Sequence, residues 1–194
     1  MGFAAERFMQ TQQFQSQGTL AAAVAHFSEG LAGLAPADIL SDGLRLIRQQ
    51  CAADSVTLFS IHEQVVTPLG TSPLSHSVAE VCSTNWFPWG LHMAQPQRFL
   101  LVQQAEMLPA DPMTLQTLGE RGVRSCVHLP IVERQQLLGA LQLYWSTPRQ
   151  TWDDSSGQIL RSLGRLLVTI SASETISESE TAPDLNQSRV VPPG

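Results

Sequence analysis

The chain has 194 residues, a formal net charge of -6, 43% hydrophobic against 14% charged residues, and eleven cationic side chains that are all arginines. Without lysine there is no Schiff-base chemistry, no lysine-attached cofactor and no P-loop, because each requires an amine at a fixed place. The acidic balance offers nucleic acid no long-range attraction, and no run of ~18 apolar residues is present to span a membrane, so neither is expected as a partner.

Three cysteines, Cys51, Cys82 and Cys126, are odd in number and form no CxxC pair, and the opening MGFAAERFMQ lacks an apolar signal core. A reducing cytoplasm is the expected location. Residues 1–18 are rich in Gln with scattered Phe3, Phe8 and Phe14, a helical or flexible lead-in. Leu20, Val24, Phe27, Leu31 and Leu34 then recur at alternating steps of four and three, which predicts a helix over 19–34 with a seam for another helix. Pro36 opens a second helix with Leu40, Leu44, Ile47 and Cys51 as its buried stripe.

The run Ser55–Ile61 (SVTLFSI) reads as a strand, with a weaker partner at Val65–Gly70. Arg98–Val102, Ser125–Val132 and Leu137–Trp145 are further strands. Glu133-Arg134-Gln135-Gln136 makes a polar connection of hairpin length between the last two. A closing helix follows Pro148, with Thr151 as cap and Asp154 in capping-box position; Ile159, Leu163, Leu166 and Ile170 form its stripe, widened by Leu160 and Leu167. From 174 to 194 the composition turns to Ser, Thr, Glu and Pro, and Glu174, Glu178, Glu180 and Asp184 against Arg189 leave a net of -3. This is expected to be a disordered acidic tail. Two helices, several strands, a hairpin and a closing helix over 19–173 describe an α+β domain with an antiparallel sheet.

The stretch Leu118–Tyr144, LGERGVRSCVHLPIVERQQLLGALQLY, resembles the signature half of a GAF domain: a Gly-Val-Arg-Ser entry, a Leu-Pro-Ile strand, a short loop and a Leu-Gly-x-Leu strand. Ser146-Thr147-Pro148-Arg149 followed by Trp152 is similar to the link into the closing helix of bacterial sensory GAF domains. Phe87-Pro88-Trp89 and Met107-Leu108-Pro109 resemble a subgroup found beside histidine kinases and response regulators. The resemblance implies a stand-alone signalling domain of bacterial type, with a cyanobacterial source as one reading. It also implies a six-stranded antiparallel sheet with the first, second and last helices on one face. On the other face, loops and short helices enclose a small ligand, which in different members is a cyclic nucleotide, a bilin, haem or a metabolite.

The residues discriminate among these. Cys126 stands inside a strand, two positions before His128, and not on a helix ahead of the Pro-Ile strand, so covalent bilin is not expected. The lysine-containing motif of many cyclic-nucleotide members cannot occur. The fold's methionine-R-sulfoxide reductases keep their thiols in loops that the surroundings of Cys51, Cys82 and Cys126 do not match. GxSxG and HExxH are absent, and His26, His62, His76, His92 and His128 stand alone. A non-enzymatic module with no metal and no resident cofactor is expected; a reductase-like protein or a redox sensor at Cys126 is the minor alternative.

Strand alternation sends Val127, Leu129 and Ile131 to the helical layer and Cys126, His128 and Pro130 the other way, with Gln142 and Tyr144 opposite Leu141 and Leu143. The candidate ligand pocket is therefore Cys126, His128, Gln142 and Tyr144, with Arg124 at the strand entry and Trp86, Phe87 and Trp89 from the irregular middle. The competing reading is an aromatic mini-core closing the sheet. The stripes Leu20, Val24, Phe27 and Leu31 with Ile159, Leu163, Leu166 and Ile170 are the candidate homodimer interface. With no kinase, cyclase or DNA-binding half among these residues, a signalling protein partner is expected to carry the output, whether the domain senses a small molecule or serves as a docking scaffold.

Overall fold

The computed structural model describes residues 20–62, 65–73, 82–83, 99–104, 116, 119–120, 122–149 and 151–180. The expected lead-in over 1–18, the aromatic residues Trp86, Phe87 and Trp89, and the tail beyond 180 lie outside these.

Helix α1 occupies residues 20–29, shorter than the expected 19–34. Gly30 and Gly33 stop it: the Gly30 N–H donates to the Phe27 carbonyl at 3.1 Å, and Gly33 takes φ +84°, a conformation that costs glycine little. Leu34, placed by its spacing on the buried stripe, is 43% exposed beyond this stop.

Helix α2, Pro36–Gln50, begins where proline's missing N–H has no helical partner to lose. Its buried face is Ile39, Gly43, Leu44 and Ile47, turned from the expected stripe so that Leu40 and Cys51 sit at its margin. The turn follows from Gly43. A methyl group there would stand 2.8 Å from a terminal carbon of Leu167, so the bare backbone lets α2 approach the closing helix α3, Asp154–Glu180.

The six strands are β1 (Ser55–His62), β2 (Val65–Ser72), β3 (Cys82–Ser83), β4 (Leu100–Val102), β5 (Ser125–Glu133) and β6 (Gln136–Trp145). They form one sheet in the order β3-β2-β1-β6-β5-β4, every adjacent pair antiparallel. This is the expected α+β architecture. Val56 and Leu58 of β1, Val127, Leu129 and Ile131 of β5, and Leu141, Leu143 and Trp145 of β6 meet Leu44, Ile47, Leu160, Leu163 and Leu167 of the helices in one core.

The β5–β6 connection is tighter than the sequence indicates. Glu133 pairs with Gln136, leaving only Arg134 and Gln135 in the turn, at φ +47° and +69°. Two positive φ values match a type I′ turn, which favours Asn-Gly, whereas L side chains pay roughly 1–2 kcal/mol each for this region. The double change Arg134→Asn, Gln135→Gly is expected to stabilise the domain by about 1 kcal/mol, raising Tm by a few degrees in a thermal melt.

Helix α3 is capped by Asp153 and not by Thr151. The Asp153 carboxylate accepts the Ser156 N–H at 2.8 Å and the Ser155 hydroxyl at 2.9 Å. Burial pushes this carboxyl up, but the hydrogen bonds from Ser156 and Ser155 outweigh burial and hold it below the usual range. Asp153→Ala is expected to cost about 1 kcal/mol in urea unfolding, against a negligible cost for Thr151→Ala. At its other end α3 continues to Glu180 and does not stop near Ser173.

Candidate ligand-binding face

The sheet face opposite the helices is assembled by strand alternation and cross-strand register. Thr71 of β2 pairs with Thr57 of β1, Thr57 with Gln142 of β6, Gln142 with His128 of β5, and His128 with Leu100 of β4. One row therefore crosses five strands with four polar residues side by side. The neighbouring row runs Ser55, Tyr144, Cys126, Val102, and beyond the polar row Phe59, Ala140 and Pro130 make an apolar end.

Directly opposed side chains in such rows lie close enough to interact. The Thr57 and Thr71 hydroxyls are 3.1 Å apart, the Tyr144 hydroxyl donates to Gln142 Oε1 at 2.6 Å, and the His128 and Tyr144 rings meet edge to face with centroids 6.2 Å apart. Thr57 and Cys126 are fully buried, Gln142 is 2% exposed and His128 4%. Burial in turn sets their charge state. It pushes His128 down to about 3, so the imidazole is neutral, and pushes the Cys126 thiol up to about 12, so the sulfur keeps its proton.

Of the sequence-derived pocket residues, Cys126, His128, Gln142 and Tyr144 share this face. Arg124 does not join them: it precedes β5, is exposed, and its backbone N–H donates to the Trp145 carbonyl at 2.8 Å. Ser55, Thr57 and Thr71 belong to the face but were absent from the candidate set. Alternation in SVTLFSI already separates Thr57 from Val56 and Leu58; what single-sequence reading lacks is the pairing of β1 with β6, which brings Thr57 beside Gln142.

The candidate dimer residues separate into two groups. Leu20 and Leu163 are buried within the single chain, at 4% and 2% exposure, and are core side chains. This corrects their assignment to an outer seam. The buried face of α3 centres on Leu160 and Leu167, because Gly164 packs directly over Ile131, and Ile159, Leu166 and Ile170 flank it half-buried, as Val24, Phe27 and Leu31 do on and after α1.

The segment between β6 and α3 ties the sheet to the helices. The Arg149 guanidinium donates to the Cys51 carbonyl at 2.9 Å and lies 4.8 Å from the centre of the Trp145 ring, while Trp145 Nε1 donates to the same carbonyl at 3.3 Å. Asp54 accepts both the N–H and the hydroxyl of Ser146, at 2.6 and 2.7 Å, and Trp152 packs on Trp145 at 6.0 Å. Arg149 is thereby committed to closing the end of α2. Burial pushes the Cys51 thiol up to about 12 despite the opposing charge of Arg149.

The family model described as GAF domain matches residues 35–169. The chain belongs to the GAF domain family.

Solved GAF domains share the fold. The GAF domain of a phosphoenolpyruvate-protein phosphotransferase from Coxiella burnetii is 15% identical with a TM-score of 0.64, over 84% of this chain and 98% of that one. The phycocyanobilin-bound GAF domain of a cyanobacterial phytochrome is 16% identical with a TM-score of 0.62, over 84% and 97%. A GAF domain/HD domain protein from Geobacter sulfurreducens is 15% identical with a TM-score of 0.59, over 75% and 97%. No curated protein matches the sequence. Among the described residues of this GAF domain, no helix is long and apolar enough to cross a membrane, and no group of three or more His, Cys, Asp or Glu could hold a metal ion.

Proposed function

We propose that this GAF domain is a non-enzymatic, cytoplasmic sensory module that binds a small molecule on the sheet face opposite its helices and signals through those helices to a protein partner. The observation that carries the reading is the polar row Thr71, Thr57, Gln142 and His128, buried except at its half-buried Thr71 end. Three buried polar side chains in register at the middle of a sheet, with a half-buried fourth beside them, are costly to bury, and a bound ligand with matching donors and acceptors gives them a purpose. The two protonated thiols support the non-enzymatic part, since the thiolate is the nucleophile in both reductase chemistry and bilin attachment. Unlike the phycocyanobilin-bound neighbour, this domain is then free of covalent pigment.

A docking scaffold is the second reading, favoured by the Thr57–Thr71 and Tyr144–Gln142 hydrogen bonds, which satisfy part of the row from within the chain. Native mass spectrometry of the purified chain separates the two. A retained small molecule is expected; a bare chain mass together with a captured protein partner is the scaffold result. An absorbance scan free of visible bands is expected alongside.

The half-buried Val24, Phe27, Leu31, Ile159, Leu166 and Ile170 support a homodimer packed through the helical layer. Light scattering is expected to give twice the chain mass, and a monomer at high concentration would remove this part of the proposal.

A further inference from the structure

Strand β6 ends in two neighbouring residues that serve opposite faces of the sheet. Tyr144 stands on the candidate ligand face, its ring edge to face with His128, while Trp145, 2% exposed, belongs to the core beneath the helices. The two share one stretch of extended backbone, so a displacement of Tyr144 takes Trp145 with it. The Asp54 N–H donates to the Tyr144 carbonyl at 2.9 Å, which joins the exit of α2 to β6 at the same point.

Trp145 in turn touches the end of one helix and the approach to another. Helix α2 stops with Ala52 at φ +47°, where the Ala52 and Ala53 N–H groups close on the Gln49 and Arg48 carbonyls. The Cys51 carbonyl is taken by two side chains, the Trp145 indole N–H at 3.3 Å and the Arg149 guanidinium at 2.9 Å, a favourable place for a cation at the negative end of a helix. On its other side Trp145 packs on Trp152 with ring centres 6.0 Å apart, and Trp152 packs on Phe99 at 6.4 Å. Bare Gly157 lets the start of α3 rest on Trp152, since a methyl there would stand 3.3 Å from its Nε1. The aliphatic contacts of Leu129 and Ile131 with α3 have no preferred direction, whereas the hydrogen bonds on the Cys51 carbonyl do. A close-packed junction of this kind yields little and transmits displacement.

We propose, on the sensory reading above, that Trp145 is a positioning residue that carries a displacement of β6 at Tyr144 to the end of α2 and the start of α3, with Arg149 holding it on the Cys51 carbonyl. The junction of β6 with the two helices is then the place where a change on the sheet face becomes a change in the helical layer.

The test uses the full chain and needs no identified ligand. Tyr144→Phe removes the hydroxyl that donates to Gln142 at 2.6 Å and so perturbs the sheet face from within. Amide hydrogen exchange is followed in the parent, in Tyr144→Phe, in Trp145→Leu and in the double variant. Tyr144→Phe is expected to speed exchange about threefold or more over residues 48–53 and 154–158, and this response is expected to fall by at least half when residue 145 is leucine. No response at the two helix ends, or an equal response with either residue at position 145, overturns the inference and leaves the sensory reading standing. A bare chain mass in native mass spectrometry instead overturns the sensory reading and leaves the measured coupling in place. Should Trp145→Leu fail to fold, Arg149→Gln replaces it, which removes one of the two donors to the Cys51 carbonyl; the response to Tyr144→Phe is again expected to fall, and an undiminished response overturns the inference.

Discussion

Replacing Gly139 with alanine is expected to destabilise the domain by about 3 kcal/mol or more, the upper range for overpacking a well-filled interior. Gly139 sits on β6, paired with Ser60 of β1 at the centre of the sheet. A Cβ built there collides with the carbonyl oxygen of Phe59 and stands 3.2 Å from a methyl of Val168. The colliding atom is backbone in a central strand, so relief requires the β1–β6 ladder itself to move, and that ladder holds Thr57 beside Gln142. Gly139 is the glycine of the Leu-Gly-x-Leu motif, and the close approach gives that motif its physical reason. Gly119→Ala is the control, because a methyl there meets nothing within 4 Å. Urea unfolding of the two variants beside the parent checks the claim; a Gly139→Ala midpoint equal to that of Gly119→Ala would contradict it.

Acid is expected to weaken the fold well before the carboxylates titrate, through His128. Its imidazole is held neutral by burial, with a folded-state value near 3 against an ordinary 6.5. Between those values the unfolded chain takes up a proton that the folded chain refuses. The stability His128 contributes is therefore fully present above about pH 6.5 and is lost as pH falls toward 3, at up to about 1.4 kcal/mol per pH unit. From pH 7 to pH 5 the expected loss is about 2 kcal/mol, a range in which Asp and Glu of ordinary pKa contribute little. His128→Gln removes the titrating group and is expected to flatten the curve over this range, whatever its stability at pH 7. Urea midpoints at half-unit pH steps provide the measurement; an equal slope in both proteins would show that His128 already carries a proton when folded.

The strands were more legible than the helix faces. In Ser125–Val132 and Leu137–Trp145 the alternation has a period of two, and a slip of one residue would turn every apolar side chain the wrong way, so face and register follow from the sequence together. Helix α3 offers no such discrimination. Ile159 with Leu160, and Leu166 with Leu167, are adjacent apolar pairs, and a period of 3.6 accommodates a stripe centred on either member. What decides is close packing at two glycines, Gly43 against Leu167 and Gly164 against Ile131, which draws Leu160 and Leu167 to the centre and leaves Ile159 and Leu166 at the margin.

The candidate site was legible by half for a related reason. Cys126, His128, Gln142 and Tyr144 follow from alternation within one hairpin, whose strands are joined by two residues. Thr57 and Thr71 join them only because β6 turns its other edge to β1, a contact between segments some eighty residues apart in sequence. Arg149 shows the reverse case. The sequence marks it as a cation near the sheet, and only the geometry reveals that its guanidinium is already held by the Cys51 carbonyl and the Trp145 ring.

Native mass spectrometry of the parent chain beside Gln142→Leu, both shown by circular dichroism to be folded, tests the ligand-binding face most directly. The parent is expected to carry one small molecule that the variant has lost. Identical bare masses, or a molecule retained equally by both proteins, would contradict the assignment of this face as the ligand site.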